Sequence, residues 1–352
     1  MSNRKTGYMQ PLDLVSGTID MTQGSGGLAS HQLIKDLFAR HFTNEWLDRG
    51  HDGAILPPIT HPVCVSCDAH VISPLEFPGG DIGRLAIAGT VNDVAVCGAK
   101  PLYIAATFIL EEGFPLATLE RIVASMAATA REAGVAVVTG DTKVVERGKG
   151  DGLYISTTGI GEALVPEATS GERAKPGDAV LVSGTMGDHG MAVMSLREGM
   201  SFGTTIESDT APLGALVEAV LKAAPHTHVL RDPTRGGLAT TLNEIAGQSK
   251  AGILLHEETI PVRPEVQAAC EFLGLDPLYV ANEGKLIVIC PADEAEAALE
   301  AMRSRPEGRD AAKVGEVVAP DVVAPGYVEM QTLMGGRRMV DWLAGEQLPR
   351  IC

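Results

Sequence analysis

Carboxylates recur beside predicted elements of this chain: Asp52 in His51-Asp52-Gly53-Ala54, Asp68 after a short strand, Asp141 in Thr139-Gly140-Asp141-Thr142, and Asp232 in Arg231-Asp232-Pro233-Thr234-Arg235-Gly236-Gly237. Clustered carboxylates without matching His and Cys ligands suit a hard cation such as Mg²⁺ that bridges to phosphate. Taken singly, each equally suits a turn or a helix cap. Asp93 differs: the segment 82–96 is apolar nearly all round, and Asp93 falls within about 20° of Ile82 on the helical wheel. A carboxylate inside such a helix needs a partner or a cation. Lys143 follows a Gly-Asp turn after a buried strand, and Glu283 precedes the apolar run 286–290. Both positions suit a working side chain or a solvated loop charge. Gly24-Ser25-Gly26-Gly27 feeds an amphipathic helix through Arg40. Its N–H groups are placed to wrap phosphate, but the loop lacks a Walker lysine.

The remaining chemistry is sulfur. The sequence ends Leu348-Pro349-Arg350-Ile351-Cys352. Pro349 resists helix continuation, so the thiol can project from the body on a tether, and the sequence does not fix its resting position. Ten extended residues reach roughly 33 Å, enough for the segment after Leu343 to serve an outside partner and an inside site. Arg350 is expected to oppose the rise in thiol pKa from a neighbouring carboxylate. Cys64 and Cys67 form one Cys-x-x-Cys inside the alternating run 63–67, with no second pair to complete a zinc site. They are expected to be two faces of one strand.

The elements that must position these groups alternate between strand and helix. Strands are expected at 63–67, 103–110, 135–139 and 154–160. A helix is expected at 82–96, capped by Asp81, and another at 115–132 with Gly134 after it. A boundary falls in the Pro, Gly, Ser and charge cluster 166–177. Beyond it, strands are expected at 179–182, 253–256, 286–290 and 314–318, and helices at 191–197, 213–223, 238–246 and 293–303. This divides the chain into an extension 1–16, an α/β unit 17–165, an α+β unit 166–335 and a tail 336–352.

Composition narrows the partners. A net charge of −17, with no Lys or Arg run, argues against nucleic acid and anionic membranes. The 40 glycines and 4% aromatic content fit an α/β protein with many tight turns. No apolar stretch matches a signal peptide or a membrane span, and the six cysteines show no disulfide framework. A reduced, cytoplasmic protein is expected.

In chain order, the glycine-rich loop, His51-Asp52-Gly53-Ala54, Asp68, Thr90-Val91-Asn92-Asp93-Val94, Thr139-Gly140-Asp141-Thr142-Lys143, the Arg231–Gly237 motif, Asn282-Glu283-Gly284 and the final Pro-Arg-Ile-Cys resemble the HypE family of hydrogenase maturation factors, the carbamoyl dehydratases. That family lies in the ATP-using superfamily of aminoimidazole ribonucleotide and selenophosphate synthetases. The internal motifs mark the superfamily and the last four residues mark HypE.

The resemblance implies a two-domain fold like that of aminoimidazole ribonucleotide synthetase, a homodimer formed through the first sheet, and ATP in a cleft shared with the dimer. It implies that HypF carbamoylates Cys352, that the chain uses ATP to dehydrate the adduct to a thiocyanate, and that cyanide passes to iron on HypC–HypD. It further implies Lys143 and Glu283 as the proton-handling pair. Gly24, Ser25, Gly26, Gly27, Asp68, Asp93 and Asp141 fall on the nucleotide side, and Asp52, Asp93 and Asp232 on the magnesium side. A sister synthetase is the first alternative, although selenophosphate synthetases typically place Cys or selenocysteine in the loop that here holds Ser25. A non-catalytic carrier of a modified thiol is the second.

Overall fold

The computed structural model describes residues 11–200, 204–343, 345, 348 and 350–352. The expectations for residues 1–10 and for Pro349 lie outside the described residues.

The first unit opens with α1 (Gly27–Leu33), a π turn (Ile34–Phe38) and α2 (Ala39–Phe42). Strand β1 (Val63–His70) follows, then the two-residue strands β2 (Glu76–Phe77) and β3 (Gly80–Asp81). Next come α3 (Ile82–Val96), β4 (Ala99–Glu111), α4 (Leu116–Ala133), β5 (Ala136–Val145) and β6 (Leu153–Ala163). The sheet runs β1-β6-β4-β5, with only the β4–β5 pair parallel.

Asp81 caps α3 as expected, accepting from the N–H groups of Gly83 and Arg84. Pro115 and Gly134 flank α4 as expected. The helix α3 is buried almost all round because it lies between the first sheet and the second unit. Two expected turns are strand instead. Asp68 lies inside β1, because its partners Thr157 and Ser156 extend the ladder past residue 67. Gly140–Lys143 continue β5 alongside β4. A Cβ at Gly140 would lie 2.3 Å from the Ala106 carbonyl oxygen, so only glycine lets the strands approach there.

The second unit contains β7 (Asp178–Val182), α5 (Asp188–Arg197), α6 (Gly214–Ala223), β8 (Val229–Arg231), α7 (Gly237–Ser249), β9 (Gly252–His256), α8 (Pro264–Leu273), β10 (Ile287–Pro291), α9 (Ala295–Arg303), β11 (Ala312–Val318), β12 (Val328–Gln331) and β13 (Arg337–Met339). Its sheet runs β13-β12-β9-β11-β7-β10-β8. Strands β8, β12 and β13 and helix α8 were not foreseen. β8 has only three residues, too few for a periodic signal. It is the strand that delivers Asp232.

The cores show why both units hold. One apolar cluster joins Leu33, Ile82, Ile104 and Ile122 beneath the first sheet, and another joins Val180, Leu242, Ile253 and Ile287 beneath the second. The first sheet's other side is open: Val63 and Val65 are 53% and 61% exposed. Cys64 and Cys67 occupy opposite faces of β1 as expected. All six cysteines are free.

Candidate functional site

A cavity of about 440 Å³ lies where α3 and β1 face the loops of the second unit, lined by Asp68, Asp93, Asp232, Arg235, Glu283 and Cys352. Asp93 accepts from Ser66 Oγ at 2.7 Å, and Asp68 accepts from Thr90 Oγ1 at 3.3 Å. Burial, with Asp68 beside it, raises the Asp93 pKa. Burial, with Asp93 facing it, pushes Asp232 up to about 7. Glu283 is driven well above its ordinary 4.5 by burial, then by Asp232 and Asp209. Its Oε1 is buried without a hydrogen-bond partner. The cavity therefore concentrates buried carboxyl groups that raise one another's pKa, with Glu283 Oε1 left unpaired.

The loop chemistry explains these placements. Gly236 and Gly237 take φ of +76° and +61°, turning the chain sharply between β8 and α7. A Cβ on Gly237 would lie 2.5 Å from the Leu278 carbonyl oxygen and 2.6 Å from that of Val280. The turn thus brings Asp232 and Arg235 against the segment that leads to Glu283. Asn282 fixes that segment, accepting from Gly187 N–H at 2.7 Å and donating to the Pro233 carbonyl at 3.0 Å.

The sequence left the resting position of the tail open, and the structure docks its last residues inward. Ile351 is buried and bridges to Ile72, and Cys352 Sγ sits inside the carboxylate cavity. Backbone hydrogen bonds available on the chain at 71–73 draw the last residues inward. Arg350 does not serve the thiol, because it pairs with Asp151. Arg235, quoted in its motif but not expected as a site residue, donates from Nη1 to Sγ at 3.0 Å. Burial, then Glu283, nevertheless pushes the thiol from 9.0 to about 11, with Arg235 opposing. Docking of the thiol form is therefore strongest below pH 9 and weakens as pH rises toward 11. At neutral pH the docked thiol holds on the order of 10²-fold less thiolate than an ordinary one. Iodoacetamide at pH 8 is expected to alkylate exposed Cys67 and Cys97 well before Cys352, read by peptide mass spectrometry.

The other expected site residues gather elsewhere. Gly24, Gly26, Asp141 and Lys143 line a second, more apolar cavity of about 300 Å³ with Phe38 and Phe108. Ser25 and Gly27 flank Gly26 at the start of α1. Lys143 Nζ lies 2.9 Å from Asp141, whose pKa that bond lowers. The Asp52 carbonyl accepts from Thr139 Oγ1 at 3.4 Å, which places it beside β5. Within one chain, then, Asp52 does not join Asp93 and Asp232, and Lys143 does not join Glu283. The two groups sit at opposite edges of a four-stranded sheet, three strand spacings or about 14 Å apart.

The carboxylates supply oxygen donors of the kind a hard divalent cation takes, and burial raises the pKa of Asp93, Asp232 and Glu283. Among the described residues, no three His, Cys, Asp or Glu side chains group closely enough to hold a metal ion. No helix among them is long and apolar enough to cross a membrane.

Comparison with known proteins agrees with this architecture. Residues 50–163 match the family described as AIR synthase related protein, N-terminal domain, and residues 175–327 match AIR synthase related protein, C-terminal domain. Carbamoyl dehydratase HypE of Azotobacter vinelandii is 62% identical over 346 residues, spanning 98% of this chain and 100% of that one. The chain belongs to the HypE family. A solved HypE in complex with ATP superposes with a TM-score of 0.91 at 55% identity, covering 94% of this chain and 99% of that one. A HypE–HypF complex gives 0.77 at 49%, covering 88% and 99%. HypE-family membership accounts for the two-unit fold. His189 and Arg197, which hold the Ile351 and Arg350 carbonyls ahead of Cys352, were not expected. The glycines around His189 in Gly187-Asp188-His189-Gly190 were the available signal.

Proposed function

We propose that this protein dehydrates a carbamoyl group carried on Cys352 to a thiocyanate at the expense of ATP, and so supplies the cyanide ligand of [NiFe]-hydrogenase iron. The observation that carries this is Cys352 Sγ inside the carboxylate cavity, held by Arg235. A carbamoylated sulfur is neutral and enters such a cavity without a thiolate's desolvation cost.

A thiocarbamate oxygen is a poor leaving group. Its attack on the γ-phosphate of ATP turns it into phosphate. Two N–H protons are removed, and the C–O bond breaks to leave S–C≡N, ADP and phosphate. Lys143 and Glu283 are assigned the proton transfers. The Gly24–Gly27 loop and Asp141 are assigned to the triphosphate, with Asp68. Asp52, Asp93 and Asp232 would hold magnesium, which neutralises phosphate charge when bound.

Because Asp52, Asp141 and Lys143 lie across the sheet from Glu283, we place the working site between two protomers. The open face of the first sheet, with exposed Val63 and Val65, supports a homodimer there. The proposed division is an extension 1–16, units 17–165 and 166–335, and a tail 336–352. HypF is proposed as the carbamoyl donor, HypC–HypD as the acceptor, and the cytoplasm as the compartment.

The test is mass spectrometry of the C-terminal peptide after incubation with HypF, carbamoyl phosphate and ATP. A carbamoyl adduct on Cys352, then its dehydrated successor, is expected. No adduct on Cys352 would refute the assignment.

A further inference from the structure

We propose that the groove holding residues 350–352 is a peptide-recognition site, and that the folded body dehydrates a carbamoylated Arg-Ile-Cys peptide supplied in trans. This rests on the dehydratase reading above and adds the substrate determinants to it. The carbonyls of Arg350 and Ile351 and the terminal carboxylate of Cys352 are all engaged. Arg350 O accepts from Ser73 N–H at 3.3 Å and from Arg197 Nη2 at 3.0 Å. Ile351 O lies 2.7 Å from His189 Nε2, and Cys352 O accepts from Val71 N–H at 3.0 Å. The segment is thus bound as a short added strand antiparallel to residues 71–73, bridged at Ile72 and Ile351.

The donors are fixed before the peptide arrives. A carbonyl only accepts, so His189 carries its proton on Nε2. Its Nδ1, 2.8 Å from Ser208 Oγ, is then the acceptor. Burial holds this imidazole neutral by lowering its pKa. Arg197 is tied to the Ser73 carbonyl at 2.6 Å. Side-chain selectivity comes from two places. Ile351 enters the core cluster with Ile72, Phe77 and Val193, and Arg350 pairs with Asp151. None of these contacts uses the covalent link between the body and residue 350. That link supplies effective concentration, of the order of millimolar for a short tether, not recognition. With the main chain fixed, the sulfur arrives at Arg235 whichever molecule brought it.

The reaction in trans balances as in the proposed function. The peptide's thiocarbamate and ATP give peptide thiocyanate, ADP and phosphate, with no oxidant or reductant required.

The experiment uses the full chain carrying Ile351→Asp and Cys352→Ser. The aspartate places a charge in the apolar pocket, which frees the groove of its own tail. The probe is fluorophore-labelled Leu-Pro-Arg-Ile-Cys with a carbamoylated thiol. The result expected is saturable binding by anisotropy, at least tenfold weaker for Leu-Pro-Arg-Asp-Cys, and peptide thiocyanate formed with ATP. If wild-type protein dehydrates its own carbamoylated Cys352 while the double variant neither binds nor converts the peptide, the inference is overturned and the proposed function stands. Binding without conversion overturns the trans activity alone. If carbamoylated wild-type protein makes no thiocyanate, the proposed function fails, and anisotropy still decides whether the groove reads the peptide.

Discussion

Replacing Glu283 by glutamine is expected to slow dehydration of carbamoylated Cys352 by roughly 10²–10⁴-fold, the range for loss of a positioned acid–base group. Carbamoylation itself should persist, since it needs only an accessible thiol. The substitution is isosteric, and the backbone that presents residue 283 does not depend on its carboxylate. The N–H groups of Glu283 and Gly284 donate to the Asp209 carboxylate at 3.1 and 3.3 Å. The burial that makes Glu283 useful also costs stability. A carboxyl whose folded pKa is raised above 4.5 destabilises the fold as pH climbs from about 4.5 to the folded value, because only the unfolded chain ionises freely. The glutamine variant should escape that loss and melt no lower than wild type at neutral pH. Single-turnover mass spectrometry, paired with a thermal melt, separates the two effects. Wild-type dehydration by the variant would remove Glu283 from the mechanism. For the wild type, the acidic limb of the rate profile should lie above the ordinary carboxylate range, since the base must be ionised to act.

Much of this was legible in the sequence because it depends on local physics. The cap at Asp81 and the burial of α3 follow from one polar residue before an apolar run. Asp93 stood out because a carboxylate in such a helix requires an explanation. What was hidden depends on distant contacts. Asp68 and Lys143 were expected beside their strands, and both lie within them, because ladder length is set by partners on β6 and β4. Asp232 and Glu283 appear as isolated loop acids until β8 and the glycine turn at 236–237 bring them together. The docking of Ile351 depends on residues 71–73 and on His189, 162 positions before it. No window of sequence contains that contact. Arg235 was visible in its motif, but its role needed the position of the sulfur.

The separation of Lys143 from Glu283 yields the second large effect. Lys143→Ala and Glu283→Gln are each expected to abolish most dehydration as homodimers. If a working site takes Lys143 from one protomer and Glu283 from its partner, a mixed dimer of the two variants contains one site with both defects and one with neither. Random mixing in equal amounts makes half the dimers mixed, so about a quarter of wild-type activity should return. If each site drew both residues from one chain, every site in the mixture would carry one defect and nothing would return. Co-expression with two affinity tags, tandem purification and single-turnover assay of the mixed dimer distinguishes the cases. The purified mixed dimer should then show about half the wild-type yield of thiocyanate per dimer. The sheet geometry favours the first outcome, since β1 and β5 lie at opposite edges of one four-stranded sheet. A two-fold axis across its open face, as proposed for the homodimer, would return the partner's β5 toward β1. In the proposed homodimer, that operation would carry Lys143 toward a sulfur its own chain holds away from it.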